Sequence, residues 1–304
     1  TGRQTVLSLS NPGLVPATVN VDVWGQGGAI PAPLGQGILV APKTQRVISL
    51  AGLAPGEAQP VVRVSSAGTG VVAALHTTIS RGLEADGVVV ITGQASPSNT
   101  RVIPGLFGPP PEVIGPIRGK DGYADVGGSL RVLSPDAAAS VTVTAVRPSL
   151  GNITVRLELQ AGGVGDLSLD ELGSGDYSLV LESTEPIVAG VRNSVGNDQR
   201  TDTSWGGSSY PVEQETVFVV PPIAESRLTL VNPGDSSITY ALDGRSSSLP
   251  AGGMVTRSVA AGSYSLVADG PLFAAVSTRG ETVMGYLQVL PTPASQEPIR
   301  VQVR

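Results

Sequence analysis

Leu228-Thr229-Leu230-Val231-Asn232-Pro233-Gly234 is a short apolar strand running into a tight turn, and the chain writes it three times. It stands near the start as Leu7-Ser8-Leu9-Ser10-Asn11-Pro12-Gly13, and more loosely in the middle as Leu130-Arg131-Val132-Leu133-Ser134-Pro135. Apolar residues at every second position put one face of a strand into a core. The Asn-Pro or Ser-Pro that comes next ends the strand, because proline has no N–H to give a ladder and fixes φ for a turn.

The same signals accompany each copy outward. A glycine turn feeds a strand at Leu53-Ala54-Pro55-Gly56, at Leu172 to Leu179 and at Val259 to Leu266. Tyr177-Ser178-Leu179-Val180 and Tyr264-Ser265-Leu266-Val267 match residue for residue, whereas the first copy is more divergent. A strand of small residues comes next: Val71-Val72-Ala73-Ala74-Leu75-His76, Ile187-Val188-Ala189-Gly190-Val191-Arg192 and Leu272-Phe273-Ala274-Ala275-Val276-Ser277. Each copy closes on an apolar pair before proline, at Val102-Ile103-Pro104, Val219-Val220-Pro221 and Val289-Leu290-Pro291.

Between these landmarks the period stays at two. Val19, Val21 and Val23 alternate with polar or aromatic neighbours, as do Val141 and Val143, then Val155, Leu157 and Leu159, and finally Ile299, Val301 and Val303. The one weak helical candidate runs from Leu167 to Leu172. Many short strands between regular turns predict an all-β chain, here three immunoglobulin-like β-sandwich domains in tandem. The expected boundaries are 1–104, a Pro/Gly-rich linker over 105–127, then 128–222 and 223–304. Pro221-Pro222 leaves little slack between the second and third units, so those two are expected to pack rigidly. The first is expected either to hinge or to be clamped by the longer linker.

Composition removes many functions. With 39 glycines and 25 prolines but 40% hydrophobic residues, the chain folds rather than staying disordered. No cysteine means no disulfide, no thiolate metal site and no cysteine nucleophile. The single histidine, His76, excludes sites built from two or three imidazoles. The net charge of −6, with arginines scattered singly and lysine only at 43 and 120, argues against nucleic acid. No apolar run is long enough to span a bilayer. The start at Thr1-Gly2, with Met254 the first methionine, is expected of a mature or excised fragment. An extracytoplasmic location is expected with it, secreted or anchored by a segment absent from this chain.

Few individual residues suggest chemistry. The repeat sets Arg192 and Ser277 at the position of His76, which reads most simply as a solvent-facing polar site. No Gly-x-Ser-x-Gly elbow and no Ser-x-x-Lys pair exists. Asp166, Asp170, Glu171 and Asp176, and the run Asn197, Asp198 and Asp202, carry oxygen ligands suited to calcium but not the spacing of a dedicated loop. Turn chemistry explains them more simply. Asn152-Ile153-Thr154 reads as a chance sequon, and Gly162-Gly163-Val164-Gly165 as hairpin glycines. Trp24, Trp205 and Tyr210, with Tyr123 beside them, are the candidate ligand-binding residues, since exposed rings stack on the apolar faces of sugars. An indole buried at a sheet corner is the commoner arrangement. No catalytic residue, metal site or cofactor is expected.

The Asn-Pro-Gly opening, the repeated Gly-x-Tyr-Ser-Leu strand and the preference for arginine over lysine are similar to a family of actinobacterial cell-envelope proteins described only as a domain of unknown function. The resemblance implies extracytoplasmic domains behind an export signal or anchor, in genes beside a large membrane glycosyltransferase. It therefore implies a role in envelope glycan assembly, and it carries no catalytic residues. The expected function is a non-catalytic scaffold or binding protein whose partner is an envelope protein, such as that membrane glycosyltransferase, or a cell-wall glycan. The alternatives are a glycan hydrolase with a carboxylate pair in an interdomain cleft, or a carbohydrate-binding module.

Overall fold

The computed structural model describes residues 2–291 except 58, 149, 173, 198, 199, 213, 214 and 224. The chain is nearly all β, in several separate sheets. The first unit holds β1 (Gly2–Ser10), β2 (Ala17–Gly25), β3 (Gly28–Ile30), β4 (Ile38–Val40), β5 (Gln45–Ser49), β6 (Val61–Ala67), β7 (Val72–Arg81) and β8 (Glu84–Thr92). The second holds β9 (Ser98–Gly108), β10 (Ser129–Ser134), β11 (Ala139–Val146), β12 (Ile153–Leu159), β13 (Gly163–Ser168), β14 (Gly175–Gly196) and β15 (Thr201–Gly207). The third holds β16 (Pro211–Val212), β17 (Thr216–Val220), β18 (Glu225–Val231), β19 (Ile238–Leu242), β20 (Arg245–Leu249), β21 (Met254–Val259), β22 (Gly262–Ala268), β23 (Leu272–Arg279) and β24 (Met284–Gln288).

The sequence repeat is a topological one. One sheet of each unit has the same strand order: β5-β1-β7-β8, β13-β10-β14-β15 and β21-β18-β23-β24. The facing sheet also repeats, as β12-β11-β14-β9 in the second unit and β20-β19-β22-β17 in the third. In the first unit β3 and β4 share one edge of β2 and β6 takes the other. Every pairing is antiparallel, and each unit has its own apolar cluster drawn from both of its sheets. Val19, Val21 and Val23 are buried in the first, Val141 and Val143 in the second, and Leu228 and Leu230 in the third.

The 22-residue β14 belongs to both sheets of the second unit. Its first half pairs with β9 and β11, its second half with β10 and β15, and a register shift between Glu182 and Ile187 marks the corner. A bulge lets one strand bend from sheet to sheet without breaking.

The connectors differ from expectation. Val102-Ile103-Pro104 does not close the first unit: it lies inside β9, whose partner is β14, so the boundary expected at 104 cuts a strand of the second unit. Val219-Val220 likewise ends β17, which pairs with β22 of the third unit. The expected linker carries a helix, α2 (Pro111–Arg118), preceded in the chain by the four-residue α1 (Leu50–Leu53). Proline at the start of α2 costs nothing there, since the first helical N–H groups have no partner; this is why a proline run hid a helix. Ile114, Ile117 and Val126 bury together under Tyr123, and the segment clamps the first unit to the second. The helical candidate at Leu167 to Leu172 is a single 3-10 turn, Leu169–Leu172, after β13. Ile299, Val301 and Val303 lie outside the described residues.

Candidate functional site

The densest polar construction lies where the first unit and the linker meet the outer face of the β13-β10-β14-β15 sheet. The alternation that buries Leu130, Val132 and Val191 turns Arg131 and Arg192 to the opposite face. Arg131 makes a bidentate pair with Asp166 on the adjacent strand, at 2.7 and 2.5 Å, and Gln26 of the first unit donates to the same carboxylate at 3.2 Å. Asp125 of the linker receives Arg3 on one oxygen and Arg81 on the other, the latter at 2.9 Å. Arg81 also holds Asp86 at 2.8 Å and lies 4.1 Å over the ring of Tyr123. Thr201 of β15 donates to Asp86 at 2.8 Å, which ties the two units again.

Four guanidinium groups thus share three carboxylates in a buried setting. Burial alone would raise the Asp125 carboxyl, but the hydrogen bond from Arg81 and the charges of Arg3, Arg81 and Arg192 outweigh it and hold the group below its ordinary value. Asp166 is lowered in the same way, burial again being outweighed, here by Arg131. Arg192 bears the strain of the arrangement: burial, and then repulsion from Arg3, pull its pKa down to about 10. It is 7% exposed, and its Nε and Nη1 have no hydrogen-bond partner among the described residues. The solvent-facing reading of this position is therefore corrected for Arg192, because the first unit and the linker cover that face. His76 and Ser277, its counterparts, are half-buried.

The three candidate aromatics are not brought together. Trp24 is 6% exposed, with Arg63 over its ring at 4.9 Å, and its Nε1 faces the Gly162 turn of the second unit. Trp205 is half-buried on β15, directly across from Arg192. Tyr210 is exposed beyond the end of β15. Tyr123 lies under Arg81. Three of the carboxylates suited to calcium are engaged by arginine instead, Asp166 by Arg131, Asp170 by Arg118, and Asp176 by Arg227 and Arg279, while the Glu171 side chain lies outside what the structure describes. Asn197 donates to Glu281 and Asp202 accepts from the Met284 N–H, while Asp198 lies outside the described residues.

The second and third units meet over a different surface. Asp176 bridges two arginines of the third unit, Arg279 lies 4.1 Å over Phe107, and Tyr286 packs its ring on Gly206, where any Cβ would sit 3.2 Å from ring carbon. Val102, Val146, Val180 and Val231 form an apolar cluster across the same seam. Cavities of about 20 and 10 Å³ lie beside Tyr286 and beside Tyr177. Nothing in the sequence pattern announces the Arg3–Arg81–Arg131–Arg192 group, since each arginine stands alone and only the packing of units assembles them. Among the described residues no helix is long and apolar enough to cross a membrane.

No curated protein matches the chain. A solved structure, "Crystal Structure of Thermotoga maritima 1070", aligns at 19% identity over 38% of this chain and 95% of its own, with a TM-score of 0.32. Residues 1–267 match a family of unknown function, DUF5719, and the chain belongs to that family.

Proposed function

We propose that the protein is a non-catalytic, extracytoplasmic scaffold of the bacterial cell envelope that holds a protein partner in envelope glycan assembly. The observation that carries this reading is the outer face of the β5-β1-β7-β8 sheet. Val88 and Val90 stand on that face beside Thr78 and His76, 68% and 52% exposed, and Val47 and Val72 stand on the same face beyond Ser8, Ser10 and Ala74, 60% and 62% exposed. Several exposed apolar residues on one face of a sheet favour a protein surface. The cavities beside Tyr286 and Tyr177 are each of the size of about one water, too small for a sugar ring. Asp166, Asp170 and Asp176 each pair with arginine, which leaves those three carboxylates engaged in holding the units together. The actinobacterial, membrane-proximal setting comes from the family resemblance alone.

The test is crosslinking and co-purification from membranes of the native organism, with a Val88→Glu/Val90→Glu variant in parallel. The expected result is an envelope protein recovered with the native chain and reduced at least tenfold with the variant. Recovery of no envelope protein with the native chain overturns the reading.

A further inference from the structure

The two internal seams are built alike. In each, the outer face of one sheet is covered by the unit before it: β13-β10-β14-β15 by the first unit, and β21-β18-β23-β24 by the second. The matching face of the first unit, on β5-β1-β7-β8, carries its valines exposed. Registers align that face with the third unit's position by position. His76 pairs with Val90 as Ser277 does with Tyr286, Thr78 with Val88 as Arg279 with Met284, and Ser10 with Val72 as Val231 with Phe273. Those three counterparts are where the third unit meets the second. Met284 and Tyr286 line the seam cavity opposite Leu106, Phe107 and Gly206, and Phe273 packs on the cluster of Val102, Val146, Val180 and Val231. Val72, Val88 and Val90 thus stand at the positions from which a seam is made.

The surface that fits them lies on the third unit. The second unit meets the third through Phe107, Val180 and Gly206. Ser263 pairs with Val219 as Asp176 does with Phe107, Val276 with Leu287 as Val191 with Gly206, and Val267 stands where Val180 does in the repeated Tyr-Ser-Leu-Val. Val219, Val267 and Leu287 are 40–58% exposed. Two sets of changes are matched between this surface and the first unit's face. Tyr286 lies on Gly206 at the internal seam, whereas Val90 and Leu287 hold those positions at the two ends, a small side chain opposite a large one. Asp176 holds Arg227 and Arg279, whereas its counterpart is Ser263 and theirs are Val6 and Thr78. Both halves of the ion pair are replaced together, so a contact between the ends buries no unpaired charge there.

We infer that copies of this chain associate head to tail, the third unit of one copy seating on the β5-β1-β7-β8 face of the next as the second unit seats on the third. This rests on the reading of that face as a protein-binding surface and names its occupant as a second copy. Exposed valines and a leucine on both sides leave water together, which drives such an association. The two surfaces are unlike, so the contact is heterologous and builds an open string of copies wherever its rotation does not close a ring. The leading copy of a string keeps its face for a different protein.

Analytical ultracentrifugation of the purified full chain tests this. The native chain is expected to grow past the dimer as its concentration rises toward about 1 mM, the weak end of specific association. Val88→Glu/Val90→Glu at one end, or Val219→Glu/Leu287→Glu at the other, is each expected to leave monomers. An equimolar mixture of the two variants is expected to give a dimer and nothing larger, because each supplies the surface that the other lacks. A native chain that stays monomeric throughout would overturn the inference. So would a Val219→Glu/Leu287→Glu variant that associates as the native chain does, or a mixture that stays monomeric although both variants keep the native circular dichroism. The functional reading fails separately. A monomeric native chain that still recovers an envelope protein, lost with Val88→Glu/Val90→Glu, removes the self-association alone; a self-associating chain that recovers no other envelope protein removes that reading alone.

Discussion

At the scale of single residues the repeat is maintained by one amide. Asn232 is buried at 1% exposure; its Nδ2 donates to the carbonyls of Ser236, Leu249 and Pro250, and its Oδ1 accepts from the Gly234 N–H at 3.0 Å. Asn11 does the same with Val15, Val40 and Gly13. One side chain thus satisfies a whole turn and pins it to a neighbouring strand, and proline at the next position stops the ladder. In the second unit Ser134 keeps a single such bond, to Ala137 at 2.6 Å. Asn232→Ala is expected to cost about 2–4 kcal/mol, because several buried backbone groups lose their partner at once; thermal unfolding reads it. Ser134→Ala is expected to cost about 1 kcal/mol. This much was legible in the sequence, since Asn-Pro-Gly is local chemistry. Arg192 was not legible: its burial depends on segments more than sixty residues away in the chain, and the alternation that sets its facing says nothing of what lies on top.

Among the elements, the linker carries the most consequence. Asp125 gathers Arg3 from β1 and Arg81 from β7, and α2 is anchored by Arg118 on Asp170 at 2.5 Å. The folded Asp125 carboxyl titrates below its ordinary 3.8, so its contribution to stability is complete above that value and is lost as pH falls through and below it. Lowering pH from 5 to 3 is therefore expected to loosen the first unit before the others. Proteolysis in the Gly93 to Pro97 segment should rise under those conditions, and Asp125→Asn should show the same sensitivity already at neutral pH. On the far seam, Gly206→Val has no room against the Tyr286 ring. It is expected to separate the third unit from the second, read as faster amide exchange in β15 and β24, while leaving the cores of both intact. Strand periods were legible wherever one face is buried. The helix in the linker was not, because eight residues beginning at proline carry too little period to register.

Over the whole molecule, three cores are joined by seams of unlike chemistry, dominated by ion pairs between the first and second units and mixing aromatic, aliphatic and ionic contacts between the second and third. Both seams are extensive enough that the units are expected to unfold together. Calorimetry should show one transition in the native chain and a resolved second one in Gly206→Val; two well-separated transitions in the native chain would contradict this. The threefold order was legible because the turns repeat, whereas the division between units was not. The outer strand of the second and of the third unit is written in the connector after the unit before it, so the pattern that opens those repeats to the eye is not their first strand. That offset bears on ancestry. A gene duplication or exchange that preserved the sheets would break between Thr92 and Ser98, or between Gly207 and Pro211, and carry the connector along with the unit downstream of it. A crossover at the visible leucine motif would strand β9 or β17 on the wrong recombinant and leave both products with an unfinished sheet.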